Sequence, residues 1–261
     1  MLPQGSPGLR RTGTGNHAIV LVPGALDSTS VWDELLPDIS ACGAEVIQVS
    51  LQDLSGGELG RAPFTLHNIA SGLAQILDQL GKPTIVVGHG LGALIVELAA
   101  SRSLVPPHGL VLVAPSPLAG AQLAPAFLEN CRALSGKPER VRQVRRSHMN
   151  APPPRAVSTR LDEATARLST GALHILLSCW DIGDRTSGNS PSQYRGSVLA
   201  LAGERDRLCT PHMLYARVLP RFERPKARVI RRSGHWPQLE QPTAVAQHVA
   251  AFVATTLAPL Q

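Results

Sequence analysis

The sequence has few aromatic residues and little clustering of its positive charge. Only 3% of its 261 residues are Phe, Trp or Tyr, although the net charge is +6. Nucleic-acid-binding surfaces usually combine a clustered basic face with stacking aromatic rings, so we expect no nucleic-acid partner. The densest basic group is Arg140, Arg142, Arg145 and Arg146. We interpret it as a solvated face of a cationic helix or as a rim that attracts an anionic substrate.

Cysteine is also scarce, and long apolar runs are missing. Cys42, Cys131, Cys179 and Cys209 lie far apart, without a CxxC pair or a His/Cys cluster at zinc spacing. We predict reduced thiols, no metal and no cofactor. No apolar stretch has the length of a signal peptide core or a transmembrane helix, which predicts a cytoplasmic protein with no membrane partner. The oligomeric state stays open.

Apolar residues are plentiful, at 43% against 17% charged residues, which is enough for one large core. Short β-branched runs alternate with helical patterns, and this alternation predicts a doubly wound, mostly parallel sheet. The predicted strands are Ala18–Val22, Val46–Ser50, Thr84–Val87, Leu110–Ala114, Val198–Ala202 and Val229–Ile230. The predicted helices are Ser30–Ile39, Leu66–Leu80 with Thr65 as its cap, Leu91–Ser101, Pro211–Leu219 and Thr243–Leu257.

The alternation breaks once, between about Pro117 and Arg195, where the sequence is helical and punctuated by proline. We predict that residues 117–195 form a helical cap. The core is then built from residues 17–116 and 196–261, and residues 1–16 form a flexible N-terminal segment.

A glycine-rich motif, VVGHGLGA at Val86–Ala93, follows a predicted strand and opens a predicted helix. This is the setting in which G-x-S-x-G forms a nucleophile elbow. The outer glycines, Gly88 and Gly92, are present, but the central residue is Gly90. Glycine adopts the strained turn at lower cost than serine and provides no hydroxyl for covalent catalysis. It leaves room for a water or for part of a substrate.

An acid and a histidine follow in later segments. The segment LALAGERDRLCTP at Leu199–Pro211 places Asp206 in the turn after a strand, and RRSGHWP at Arg231–Pro237 places His235 near the C-terminal end. An ionised Asp206 would accept a hydrogen bond from one ring nitrogen of His235 and raise the basicity of the other. The order of elbow, acid and histidine resembles the α/β-hydrolase superfamily across about residues 18–257. The resemblance implies an α/β-hydrolase fold, with the cap inserted after the sixth strand of the family and Gly90 in place of the nucleophilic serine.

The loop after the first strong strand, Val22–Trp32, resembles the family's oxyanion loop, with Pro23 where the family usually has histidine. The resemblance implies that the amides of Ala25 or Leu26, together with Leu91, bind a developing oxyanion. Asp27 either caps the turn, which we favour, or bonds a substrate hydroxyl. For Trp180, packing of the cap onto the sheet is an equal alternative to substrate contact. The candidate substrate-binding residues are Gly24, Asp27, His89, His148, Trp180 and Trp236.

The predicted site has no serine nucleophile at the elbow. It keeps a directed base, an oxyanion hole and a cap, and this combination suits carbanion chemistry. Removal of a proton next to a carbonyl supports cyclisation, C–C bond formation, elimination or isomerisation without a cofactor. The alternatives are an ester, thioester or C–C hydrolase, acting through water or inactivated by an engineered Ser-to-Gly change, and a non-catalytic ligand-binding protein. The expected partner is a carbonyl-containing small molecule. The 22 arginines against three lysines are typical of high-GC bacteria, and we hypothesise a role in their secondary metabolism.

Overall fold

A seven-stranded sheet forms the centre of the protein in a computed structural model that describes residues 9–54 and 65–258. The spatial order is β1-β3-β2-β4-β5-β6-β7; β1 pairs antiparallel with β3, and the other neighbouring pairs are parallel. This is the mostly parallel sheet that the sequence predicts. The strands are β1 (Leu9–Thr12), β2 (Ala18–Val22), β3 (Glu45–Val49), β4 (Thr84–His89), β5 (Gly109–Val113), β6 (Ser197–Gly203) and β7 (Lys226–Ile230).

The central strands are the ones that the apolar runs identify best. Every residue of β2, β4 and β5 is buried, because helices cover both faces of a parallel sheet and leave no polar face. β7 is an edge strand and is mostly exposed. It begins at Lys226, three residues before the predicted start, because its polar residues give no apolar signal.

The helices follow the predicted alternation. They are α1 (Leu36–Ser40), α2 (Leu51–Leu54), α3 (Leu66–Gln79), α4 (Leu91–Arg102), α5 (Pro125–Arg132), α6 (Pro138–Ser147), α7 (Arg155–Ala166), α8 (Thr170–Ile182), α9 (Pro211–Met213), α10 (Pro237–Glu240) and α11 (Pro242–Thr256). The Thr65 hydroxyl accepts a hydrogen bond from the Asn68 amide at 3.2 Å, so the predicted cap of α3 is confirmed. Two predicted helices are subdivided by other helix types: a 3-10 helix at Thr29–Leu35 precedes α1, and a π-helix at Leu214–Val218 and a 3-10 helix at Leu219–Arg221 follow α9.

Strand β1 lies inside the segment for which the sequence predicts flexibility. That expectation is wrong for residues 9–12, which pair with β3 from Leu9 opposite Val49 to Thr12 opposite Val46. An ion pair between Arg11 and Glu45, 3.0 Å from Nη1 to Oε1, supports the pairing. An exposed edge strand is held by backbone bonds and charges, so it has no hydrophobic signature in the sequence. Residues 1–8 lie outside the described part of the chain.

Four helices, α5 to α8, occupy the predicted cap region between β5 and β6. The buried side chains of α8, including Leu173 and Leu177, belong to the same apolar cluster as Leu94 and Leu98 of α4. Thus the cap packs against the helix that begins at the elbow. No helix in residues 9–54 or 65–258 has the length and apolar character needed to cross a membrane.

Candidate active site

The turn between β4 and α4 lies at the carboxyl edge of the sheet and is centred on Gly90. Its backbone has φ +52° and ψ −115°, a conformation that favours glycine. A Cβ on Gly88 would collide with the carbonyl oxygen of Gly92, and a Cβ on Gly92 would collide with those of Val22 and Pro23. The two flanking glycines therefore permit the close strand-to-helix packing that an elbow requires.

The position of the missing side chain at Gly90 faces the imidazole of His235. An ideal Cβ built at Gly90 would lie 3.5 Å from His235 Nε2 and 3.8 Å from Cζ2 of Trp180. Both are ordinary van der Waals distances, so a small side chain fits in the space. A hydroxyl at this position would point towards a ring nitrogen.

His235 and Asp206 form a buried pair. His235 Nδ1 lies 2.9 Å from Asp206 Oδ2, and Asp206 Oδ1 accepts hydrogen bonds from the amides of Leu208 at 2.8 Å and Cys209 at 2.9 Å. An ionised carboxylate only accepts hydrogen bonds, so Nδ1 carries the hydrogen and Nε2 presents its lone pair to Gly90. This is the arrangement of a directed general base.

A tight turn at Gly24–Asp27, which we call the oxyanion loop, lies across the cavity from His235. The Asp27 amide donates to the Gly24 carbonyl at 3.2 Å, which places Ala25 and Leu26 at the corner. In the described parts of the chain the amides of Ala25, Leu26 and Leu91 form no hydrogen bond. The three residues line one small cavity. Free amides around a cavity fit the expected oxyanion hole.

The Asp27 carboxylate, at the end of the oxyanion loop, is buried and has three partners. Oδ2 lies 2.9 Å from His89 Nδ1, while Oδ1 lies 2.9 Å from Trp236 Nε1 and 3.4 Å from Arg145 Nη2. Burial raises the pKa of Asp27, but the hydrogen bond and charge of His89, the charge of Arg145 and the Trp236 N–H outweigh it and lower the pKa to about 2. A Cβ on Gly24 would lie 2.8 Å from both Asp27 Oδ2 and His89 Nδ1, so this network requires glycine there.

The hydrogen-bonding capacity of the His89 ring is used within the protein. Its Nδ1 bonds the Asp27 carboxylate, and its Nε2 bonds the backbone oxygen of His235 at 2.8 Å. Both ring nitrogens of His89 are therefore occupied by partners within the protein. Its edge lines the cavity, yet it has no free nitrogen for a substrate.

Arg145, on α6, connects the cap to the oxyanion loop. Its Nη1 lies 2.5 Å from Asp162 Oδ1 on α7, and its Nη2 donates to the Leu26 carbonyl at 2.8 Å. The Thr165 hydroxyl donates to the same carbonyl at 2.7 Å. The guanidinium carbon lies 5.5 Å from the centre of the Trp236 ring, within range of a cation–π contact.

The interpretation of the arginine cluster as solvated is wrong for Arg145, which is 3% exposed. Arg142 is half-buried and bonds Asp162 at 3.0 Å. Arg140 and Arg146 are exposed, as that interpretation expects. The helical repeat turns one arginine of the four inwards, and buried carboxylates on other elements compensate its charge.

Trp180 of the cap covers His235. The two rings are stacked, with centroids 5.2 Å apart and planes inclined by 30°. Phe127 packs edge-on against Trp180, and His148 packs edge-on against Phe127, at centroid distances of 6.2 and 5.0 Å. The cavity beside Gly90 has a volume of about 10 Å³, room for about one water. Substrate access therefore requires displacement of Trp180 or movement of the cap.

The model of the Alpha/beta hydrolase family matches residues 19–248. The chain belongs to this family. Its members are mostly enzymes. Among the curated proteins compared, none matches the chain.

Solved structures of hydrolase-fold proteins superimpose on the chain at low identity. An esterase from Exiguobacterium antarcticum has a TM-score of 0.79 at 13% identity, with 94% of both chains covered. A bromoperoxidase from Bacillus anthracis has a TM-score of 0.80 at 14% identity, with 94% of both covered. A thermophilic esterase from Thermogutta terrifontis has a TM-score of 0.70 at 20% identity, covering 97% of this chain and 96% of that one. They confirm the predicted α/β-hydrolase fold.

Most of the candidate site residues come together around one cavity. The lining residues are Gly24, Ala25, Leu26, Asp27, His89, Gly90, Leu91, Trp180, His235 and Trp236. Asp206 lies behind His235. His148 approaches the pair through its backbone oxygen, which accepts a hydrogen bond from the His235 amide at 2.9 Å. The turn-capping interpretation of Asp27 is wrong, because its carboxylate bonds side chains from β4, the cap and the His235 loop instead of loop amides.

Three further residues near the site, Phe127, Asp162 and Thr165, are not identified by any sequence pattern. Each lies on a cap helix, and each reaches the site only because of how the cap sits on the sheet. No motif or spacing marks them, since short-range patterns do not encode the orientation of a cap.

The Cys209 thiol lies close to the base pair. Its sulfur and the ligand-capable atoms of Asp206 and His235 lie within 4.8 Å of one another. Metal binding by cysteine requires a thiolate, and burial, followed by the charge of Asp206, raises the pKa of Cys209 well above its usual value. The His235 Nδ1 and Asp206 atoms that would hold an ion already bond each other, so this group fits a hydrogen-bonded pair better than a metal site.

Proposed function

We propose that this member of the Alpha/beta hydrolase family is an enzyme of non-hydrolytic carbonyl chemistry, in which the His235–Asp206 pair is the general base. The reaction classes are cyclisation, C–C bond formation, elimination and isomerisation. One observation carries the proposal. The Nε2 atom of His235 faces an elbow position that has no side chain, with 3.5 Å to the site of a Cβ at Gly90.

The proposed chemistry begins with a proton on the carbon next to the substrate carbonyl. His235 Nε2 takes this proton, and the electron pair of the C–H bond moves into the enolate, whose oxygen accepts hydrogen bonds from the amides of Leu91 and of Ala25 or Leu26. Asp206 holds the imidazolium that forms. The same Nε2–H then returns the proton to another atom of the substrate or to a leaving group.

The buried charges around the oxyanion loop support this role. An isolated Asp27 carboxylate would repel a developing oxyanion. The His89 ring, the Arg145 guanidinium and the Trp236 N–H all bond Asp27, so these groups compensate its charge. The closed cap would exclude bulk water from the enolate.

A second candidate function is hydrolysis by a water that His235 activates. The cavity beside Gly90, about 10 Å³, has room for about one such water. Two of the structural relatives described above are named esterases. This mechanism needs no acyl-enzyme intermediate. Ligand binding without catalysis is the third alternative, and an intact pair of His235 and Asp206 would then have no chemical task.

Proton exchange in deuterated water tests the general base. A panel of β-keto esters is incubated with the parent protein and with His235→Ala, and incorporation of deuterium next to the carbonyl is followed by NMR. We expect exchange catalysed by the parent protein and lowered roughly a hundred- to ten-thousand-fold in His235→Ala. Equal exchange by the two proteins would contradict the assignment. Ester hydrolysis by the parent without exchange would favour the water mechanism.

A further inference from the structure

A second cavity, of about 220 Å³, lies where the cap meets the loop that carries Asp206. We call it the basic pocket. It is smaller than the sites that hold whole drug-sized ligands and is large enough for a small polar group. No carboxylate lines it. Its lining residues are Ser147, His148, Met149, Asn150, Arg205 and Arg207.

The two arginines of the basic pocket have no anionic partner. Within residues 9–54 and 65–258 neither Arg205 nor Arg207 forms an ion pair, whereas the buried Arg145 bonds two carboxylates. Arg205 Nη1 is held by the side-chain oxygen of Asn150 at 2.5 Å, so one guanidinium is fixed at the rim. The rest of its fork, and all of the Arg207 guanidinium, can bond a ligand.

His148 adds a buried polar atom without a partner. Its Nδ1 is shielded from solvent and forms no hydrogen bond within the described residues, a state that costs free energy unless a ligand or water satisfies it. Burial lowers the pKa of His148, and the electrostatic interactions with His235 and Arg207 act in the same direction, while the charge of Asp206 opposes them. A bound anion would act in the opposite direction and raise the pKa of His148.

The basic pocket lies next to the candidate active site. The backbone oxygen of His148 accepts the hydrogen bond of the His235 amide. The ring of His148 begins a series of aromatic contacts that runs through Phe127 and Trp180 to His235. A ligand that displaces these rings would extend from the basic pocket to Gly90.

We propose that the basic pocket binds a carboxylate or phosphate group of the substrate, with Arg205, Arg207 and His148 as its ligands. The guanidinium fork matches two oxygens of either group. The substrate is then an anionic carbonyl compound, held at its charged end while its carbonyl reaches the oxyanion loop. The position of the carbonyl rests on the proposed function, but binding of the anion does not.

Calorimetry on the parent protein tests the pocket with two probes, glutarate and inorganic phosphate. The informative variant is Arg207→Gln, because Arg207 has no partner in the described structure and its loss should not disturb the fold. Arg224→Gln is the matched control: it removes the same charge from an exposed arginine that precedes β7, at the opposite ends of the parallel strands from Arg205 and Arg207, which follow β6. The double variant Arg205→Gln/Arg207→Gln completes the series.

We expect one anion per chain, bound about tenfold more weakly by Arg207→Gln, undetectably by the double variant and unchanged by Arg224→Gln. Binding should weaken as salt is added. The probe that binds more tightly identifies carboxylate or phosphate as the preferred group. Absence of binding by both probes, or an equal loss in Arg224→Gln, would overturn the proposal. Failure of the proton-exchange test would instead contradict the proposed function and leave this result standing.

Discussion

Arg145 and Asp27 form a buried ion pair, 3.4 Å from Nη2 to Oδ1, that joins the cap to the oxyanion loop. Their side chains are 4% and 1% exposed. Each has a further buried partner: the Asp162 carboxylate for Arg145 and the His89 ring for Asp27. The cap position and the shape of the oxyanion loop are therefore coupled through one guanidinium.

Replacement of Arg145 by methionine should destabilise the protein strongly. The variant leaves the carboxylates of Asp27 and Asp162 without that partner, and loss of one member of a buried charged pair costs about 3–5 kcal/mol. Urea unfolding measures the free energy. Arg146→Met, at the exposed neighbouring position, should change it by less than about 0.5 kcal/mol. Similar small changes in both variants would show that the buried network contributes little.

Asp27 should make the protein sensitive to acid. Its folded pKa, about 2, lies below the ordinary value of 3.8, so the ionised carboxylate contributes stability above about pH 4. This contribution, about 2 kcal/mol, is lost as the pH falls from about 4 to 2. Asp184, whose pKa is also lowered to about 2, adds a loss of the same sign. The difference between the parent protein and Asp27→Asn in urea unfolding at each pH isolates Asp27. A constant difference from pH 5 to pH 2 would contradict the ion pair.

Much of the fold follows from the sequence, and the site only in part. Continuous apolar runs identify β2, β4 and β5 because parallel strands are buried on both faces. Motifs within short segments identify the elbow glycines, Gly88 and Gly92. They also identify the pair of Asp206 and His235. The positions of Arg145 and Phe127 at the site, and the closure of the site by Trp180, could not be predicted. They depend on how the cap packs on the sheet, and short-range sequence patterns do not encode long-range packing. β1 is held by backbone bonds and ion pairs, so hydrophobic periodicity could not find it.

Trp180 should control access to His235. In Trp180→Ala the stacked ring is lost and the imidazole becomes open to reagents, while Trp180→Phe keeps an aromatic cover. Modification by diethyl pyrocarbonate, followed by mass spectrometry of the peptide that contains His235, measures access. We expect the rate at His235 to rise about tenfold or more in the alanine variant and little in the phenylalanine variant, since ring burial limits reagent contact. The exposed His174 and His212 should react equally in all three proteins. An unchanged rate at His235 would exclude Trp180 as the barrier.

The most direct test of the account is to supply the missing hydroxyl. Gly90→Ser and the matched control Gly90→Ala both add a Cβ at the position 3.5 Å from His235 Nε2, and only the serine adds a nucleophile. Stopped-flow kinetics with activated aryl esters should show an acyl-enzyme burst and turnover for Gly90→Ser, and neither for Gly90→Ala or the parent protein. This result would mean that the base and the oxyanion hole are intact around an empty nucleophile position. Turnover by the parent protein as fast as by Gly90→Ser, or no burst in a folded Gly90→Ser variant, would contradict that claim.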